Sequence, residues 1–168
     1  MARSSPTRSH KTPPPEVAFL LSQVGAHVAG KFAERIAFLG LKPYHAGILR
    51  VLADQPGLTQ QALCDLLGMF PSRLVGLLDE LGAEKLIERR KSPADRRTYA
   101  LHLTKAGRDA VTKILKAAGQ LQDDLCAALS ATERKQLGAF LTRIVAQQQI
   151  TPGIHPSYRK LGEACGPQ

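Results

Sequence analysis

A break inside a helical pattern constrains this chain more than any other feature. After Thr59, whose hydroxyl can cap a helix, the apolar residues Ala62, Leu63, Leu66 and Leu67 recur at helical spacing until Gly68 stops them. Three residues later Pro71 opens a second stripe, Leu74, Leu77, Leu78 and Leu81, at steps of three and four. Two short helices joined by a tight glycine-containing turn form a helix-turn-helix. Beyond Leu86 the period switches to alternation. Ile87 to Lys91 and Thr98 to Leu103 read as two strands around the turn Ser92-Pro93-Ala94-Asp95, the second setting Tyr99, Leu101 and Leu103 against Thr98, Ala100 and His102. The result is a basic hairpin, or wing.

Longer helical patterns flank this unit. Val17, Leu20, Leu21, Val24, Val28, Phe32 and Ile36 predict an amphipathic helix, and Pro43 opens another that the breaker Gln55-Pro56-Gly57 ends near Asp54. Thr104 can cap a long helix whose seam, Val111, Ile114, Ala118, Leu121 and Leu125, is heptad-like and seeks another helix. Ser130-Ala131-Thr132-Glu133 is a capping box, and Leu137, Phe140, Leu141 and Ile144 follow it as a final stripe. The expected fold class is mainly α with a small β-hairpin wing (α+β): a winged helix-turn-helix lobe over 43–103, and a helical dimerisation region over 16–42 and 104–150. Residues 1–15, rich in Ser, Pro and cations, read as a flexible basic N-terminal arm, and 151–168, punctuated by Pro and Gly, as an irregular C-terminal tail.

The 168 residues carry a formal charge of +9. From Glu84 to Arg108 the eight cations Lys85, Arg89, Arg90, Lys91, Arg96, Arg97, Lys105 and Arg108 face three anions, Glu84, Glu88 and Asp95, a net of +5. A polyanionic partner is indicated. Turn residues interrupt the basic stretch, unlike a membrane-surface helix, and no apolar run approaches the roughly 20 residues of a span, so no membrane partner is expected. The absence of Trp and an aromatic content of 5% disfavour single-strand stacking and favour duplex DNA. The alternative reading is a non-specific nucleoid-type or RNA-binding basic protein, because net charge serves any polyanion.

No H-E-x-x-H, G-x-S-x-G or phosphate-binding glycine loop is present, so no enzyme and no catalytic residues are expected. The His and Cys residues lack metal-ligand spacing, and neither a metal nor another cofactor is implied. Cys64, Cys126 and Cys165 are odd in number and widely spaced, and the N-terminus shows no apolar export signal; both point to a reducing cytoplasm. Cys64, among leucines, reads as a small buried apolar residue, with a redox switch as its alternative.

The stretch LTQQALCDLLGMFPSRLVGLLDELGAEKLIERRKSPADRRTYALHLTKAG, with Asp95-Arg96-Arg97 and Leu103-Thr104 followed by Gly107, resembles the multiple-antibiotic-resistance regulator (MarR) family. The resemblance extends from about Val17 to about Gln149 and implies a ligand-responsive dimeric regulator, usually a repressor, on a pseudo-palindromic operator. Two positions depart from it: Phe70 stands where a small polar cap is usual, and Lys85 where a glycine is usual, so a left-handed Lys85 would carry a cost.

A helix in the major groove presents its N-terminal residues to base edges, here Pro71, Ser72 and Arg73, then Val75 and Gly76. Arg73 matches guanine O6 and N7 as a bidentate donor, or else neutralises a phosphate or pairs with a wing acid. By resemblance, Arg97 enters an A·T-rich minor groove with Asp95 holding its guanidinium, while Arg96, Arg90 and Lys91 take phosphates; a solvated hairpin is the bland alternative. Thr59, Gln60 and Gln61, at a helix start, suit a phosphate or ordinary capping. The family's small aromatic or anionic effector would be lined by His27, Tyr44 and His45, the last able to change charge near neutrality.

Overall fold

A computed structural model of the protein describes residues 16–91 and 99–158. The N-terminal arm, the hairpin tip with Asp95, Arg96 and Arg97, and the terminal ten residues with Cys165 lie outside the described residues. The order is α1 (Val17–Ile36), a 3₁₀ turn (Ala37–Leu39), α2 (Pro43–Asp54), α3 (Gln60–Leu67), α4 (Pro71–Ala83), β1 (Ile87–Lys91), β2 (Tyr99–Leu103), α5 (Lys105–Leu125) and α6 (Ala131–Gln147).

The helix ends follow the local chemistry read from the sequence. Thr59 accepts from the Ala62 amide at 3.1 Å, Thr104 from Gly107 at 3.0 Å, and Ser130 and Glu133 close a reciprocal capping box. Gly68 ends α3 in the left-handed conformation, φ 63°. Phe70 indeed supplies no side-chain cap to α4, and Lys85 adopts φ 56°, where a side chain is strained. The strained turn is held from outside: the Thr104 hydroxyl donates to the Lys85 carbonyl at 2.7 Å. A Cβ on Gly107 would lie 2.0 Å from the Leu86 carbonyl oxygen, so only glycine lets α5 start this close to the turn.

The core gathers Ile36, Ile48, Leu49, Leu52, Leu63, Leu67, Leu74, Leu78, Leu81 and Leu101, all essentially inaccessible, into one cluster beneath the helix-turn-helix and hairpin. Antiparallel β1 and β2 pair Ile87 with Leu103, Arg89 with Leu101 and Lys91 with Tyr99. Simple alternation along β2 is not observed. Tyr99 is exposed, whereas Ala100 is buried with Leu101 and Leu103. The cause is non-local: Leu101 donates to the Leu58 carbonyl, Gly57 donates to the Leu101 carbonyl, and Thr59 bridges Ala100, so the segment before α3 covers the middle of β2 while its outer end projects away.

Helix α5 packs on α1 and α2 of the same chain, burying Val111, Ile114, Ala117 and Leu121; of the seam read from the sequence, Ala118 is only half-buried and Leu125 is exposed, because the covered face runs through Ala117. Other apolar stripes stay open. On α1 only Ile36 is buried, with Val17, Phe19, Leu20, Leu21 and Val24 exposed; α6 buries nothing and exposes Leu137, Phe140, Leu141 and Ile144. Beyond α6 the chain is irregular through Tyr158 yet returns to the core. Tyr158 is 3% exposed; its hydroxyl donates to the Tyr44 carbonyl at 2.8 Å and its ring meets Tyr44 edge-on at 5.7 Å. Arg50 holds the same segment through the Gly153 carbonyl.

Candidate nucleic-acid interface

The leucines of α4 decide what its other faces present. With Leu74, Leu77, Leu78 and Leu81 buried, the helix leaves Pro71, Ser72, Arg73, Val75 and Gly76 exposed at its N-terminal end. All five residues singled out in the sequence therefore share one surface. A Cβ on Gly76 would meet nothing within 4 Å, so no neighbour inside the chain requires that glycine.

The outer flank of α4 is tied to the hairpin by Arg89, which donates to Asp79 at 2.7 Å. This exposed ion pair links the wing base to α4, a link that sequence spacing did not suggest. Arg90 is paired with Glu88 on its own strand, Nε to Oε1 3.0 Å, and Lys91 is exposed at the end of β1. At the start of α3, Thr59 performs ordinary capping and the Gln61 amide donates to Asp65 at 2.8 Å, with Gln60 half-buried beside them.

His45 lies inside the lobe, 5% exposed, with Nε2 3.1 Å from a Glu80 carboxylate oxygen on α4. Its Nδ1 accepts from the Lys42 amide at 3.4 Å, which leaves the proton on Nε2, facing Glu80. The two groups lie within ion-pair distance, and Glu80 favours the charged imidazole. Burial pushes the imidazole below its usual value of 6.5, Glu80 pulls it back up, and the Lys42 and Arg73 cations reinforce the lowering.

Of the three residues assigned to an effector cleft, Tyr44 packs on Tyr158, His45 faces Glu80 and His27 is exposed on α1; neither described cavity is lined by any of them. Cys64 is buried, its thiol donating to the Met69 carbonyl at 2.9 Å, and burial raises its pKa, which suits an inert core thiol. No helix among the described residues is long and apolar enough to cross a membrane. The residues sequence reasoning missed are Gly47, Arg50 and Tyr158, which dock the C-terminal segment on α2. The isolated Tyr in a Pro/Gly-rich tail was the one available signal.

A helix-turn-helix with its second helix exposed at the N-terminus, braced by a cationic two-stranded wing, defines a winged helix-turn-helix transcriptional regulator. The MarR family model matches residues 39–98. A putative transcriptional regulatory protein for the hcr operon of Thauera aromatica is 38% identical over 113 residues, 67% of this chain and 68% of that protein. Among solved structures, the transcriptional repressor CouR, bound to a 23-mer DNA duplex, is 29% identical with a TM-score of 0.68, over 77% of this chain and 92% of that one. The reduced form of MarR from E. coli shares the fold at 21% identity, TM-score 0.71, over 80% of this chain and 99% of its own. The chain belongs to the MarR family.

Proposed function

We propose that the protein represses transcription as a homodimer on a pseudo-palindromic duplex operator, with α4 in the major groove and Arg97 of the wing in the minor groove. The observation that carries this reading is the surface of α4: its leucines are locked in the core, so Ser72, Arg73, Val75 and Gly76 are displayed together beside the cationic hairpin. In this reading Arg73 takes a guanine edge, Pro71 and Ser72 fit the groove entrance, and Thr59, Gln60, Gln61, Arg90, Lys91 and Arg96 serve phosphates. Asp95 orients Arg97.

Exposed apolar faces on α1 and α6 support the dimer, since stripes of this kind are ordinarily covered by a partner, and a two-fold axis would set two recognition helices about one DNA turn apart. A small aromatic or anionic effector lined by His27, Tyr44 and His45 belongs to the same proposal.

Fluorescence anisotropy with duplex from the protein's own genomic neighbourhood, random duplex and single-stranded RNA, each across a salt series, tests the reading. Preference for the native duplex is expected, with Arg73→Ala costing about 1–3 kcal/mol and relaxing preference at one guanine, and Arg97→Ala lowering the salt slope. Equal binding to every duplex would establish the architectural alternative, and preference for RNA would overturn the duplex reading.

A further inference from the structure

The turn between α3 and α4 sends two adjacent apolar residues in opposite directions. Met69 is buried in the core; its carbonyl accepts the Cys64 thiol at 2.9 Å and its amide donates to the Cys64 carbonyl, so the backbone is pinned there. Extended geometry at the next residue, φ −69° and ψ 140°, turns Phe70 outward. Phe70 is 49% exposed and lies outside the core cluster. Its carbonyl accepts from the Arg73 and Leu74 amides, both at 3.1 Å, which sets it immediately before the first turn of α4.

A residue in this place ordinarily stabilises its helix through a side-chain oxygen, as Thr59, Thr104 and Ser130 do for α3, α5 and α6. Phe70 forgoes that bond and leaves half of its surface in water, so packing within the chain gives no reason for an aromatic ring here. The ring adjoins the exposed Pro71, Ser72 and Arg73, at the end of α4 that enters the major groove in the reading above. On a base edge in that groove the apolar feature is the thymine 5-methyl group, which Phe can meet. We propose that Phe70 is a specificity-determining residue that packs on a thymine 5-methyl group at the groove entrance. This assignment rests on the DNA-binding reading, in which Arg73 takes a guanine. Three residues of helix advance about 4.5 Å, against about 3.4 Å per base step, so the thymine lies within about two base pairs of that guanine.

Deoxyuridine lacks the methyl group and keeps every hydrogen-bonding group of thymine, which makes it the probe. Fluorescence anisotropy is measured on the duplex from the protein's own genomic neighbourhood, with each thymine of the bound stretch replaced in turn. At one thymine per half-site, loss of the methyl is expected to weaken wild-type binding about fourfold, the effect of one methyl-sized group withdrawn from water. Phe70→Ser should bind the thymine and deoxyuridine duplexes equally. Because serine restores the missing cap, its thermal midpoint should hold or rise, which separates lost discrimination from poor folding. Phe70→Leu, smaller but apolar, should retain part of the discrimination. A methyl effect that survives Phe70→Ser, or that disappears in Val75→Ala instead, would overturn the assignment. So would a wild type that prefers the native duplex yet ignores every methyl group. A wild type with no preference for the native duplex over random duplex would remove the sequence-specific reading itself, and this assignment with it.

Discussion

Gly47→Ala should be far more damaging than a glycine-to-alanine change in a helix ordinarily is. In an open helical position the substitution stabilises by about 1 kcal/mol, because alanine restricts the unfolded chain. Here the new Cβ would lie 1.9 Å from the Tyr158 hydroxyl oxygen and 3.0 Å from Cζ. An overlap that deep forces the Tyr158 ring out of its present position. Removing a buried aromatic of this size costs about 3–5 kcal/mol. Set against the helical gain, the net destabilisation is about 2–4 kcal/mol. Tyr158→Ala alone should cost about 3–5 kcal/mol. The discriminating measurement is the double variant, followed by urea unfolding with circular dichroism. With Tyr158 already absent, Gly47→Ala has nothing to clash with and should be neutral or stabilising, giving a coupling of several kcal/mol. If the two single costs simply added, the C-terminal segment would not occupy this slot in solution and the reasoning would fail.

Three further outcomes follow from the geometry. Because burial holds His45 below 6.5, the unfolded chain takes up its proton first, so stability from the neutral imidazole is complete above about pH 6.5 and lost as pH falls toward the folded value; urea midpoints should drop on acidification with a slope of at most about 1.4 kcal/mol per pH unit from this residue, and His45→Gln should flatten that part of the profile. Lys85→Gly should stabilise by about 1 kcal/mol, since φ 56° costs glycine little, and an unchanged thermal midpoint would deny the strain. Phe140→Glu, placed on the open stripe of α6, should shift the protein toward a monomer in sedimentation and weaken operator binding together; a variant that stays dimeric would place the self-association surface elsewhere.

Most of the secondary structure was legible because its signals are local. Thr59, Thr104 and Ser130 cap helices through amides three residues away, Gly68 and Pro71 interrupt the chain where they stand, and leucine spacing reports one face of one helix. The composition of the α4 surface was legible for the same reason: once the leucines point inward, Ser72, Arg73, Val75 and Gly76 have nowhere else to go. Tyr99 broke the reading because alternation along a strand assumes one covered face, and the Gly57–Thr59 segment covers β2 from a direction that the strand's own residues do not encode.

The order and bounds of the helices, the turn between α3 and α4, and the concentration of cations in the hairpin are all written in the order of the residues, since each depends on neighbours within one or two helical turns. Tertiary structure alone decided that Arg89 braces α4 through Asp79, that His45 faces Glu80, that Arg90 and Arg108 share a cavity, and that Tyr158 returns across the chain to the one place on α2 lacking a side chain. Those pairings are matters of shape and charge between distant segments. They leave no period in the sequence, because a glycine that admits a ring looks, residue by residue, like any other glycine in a helix.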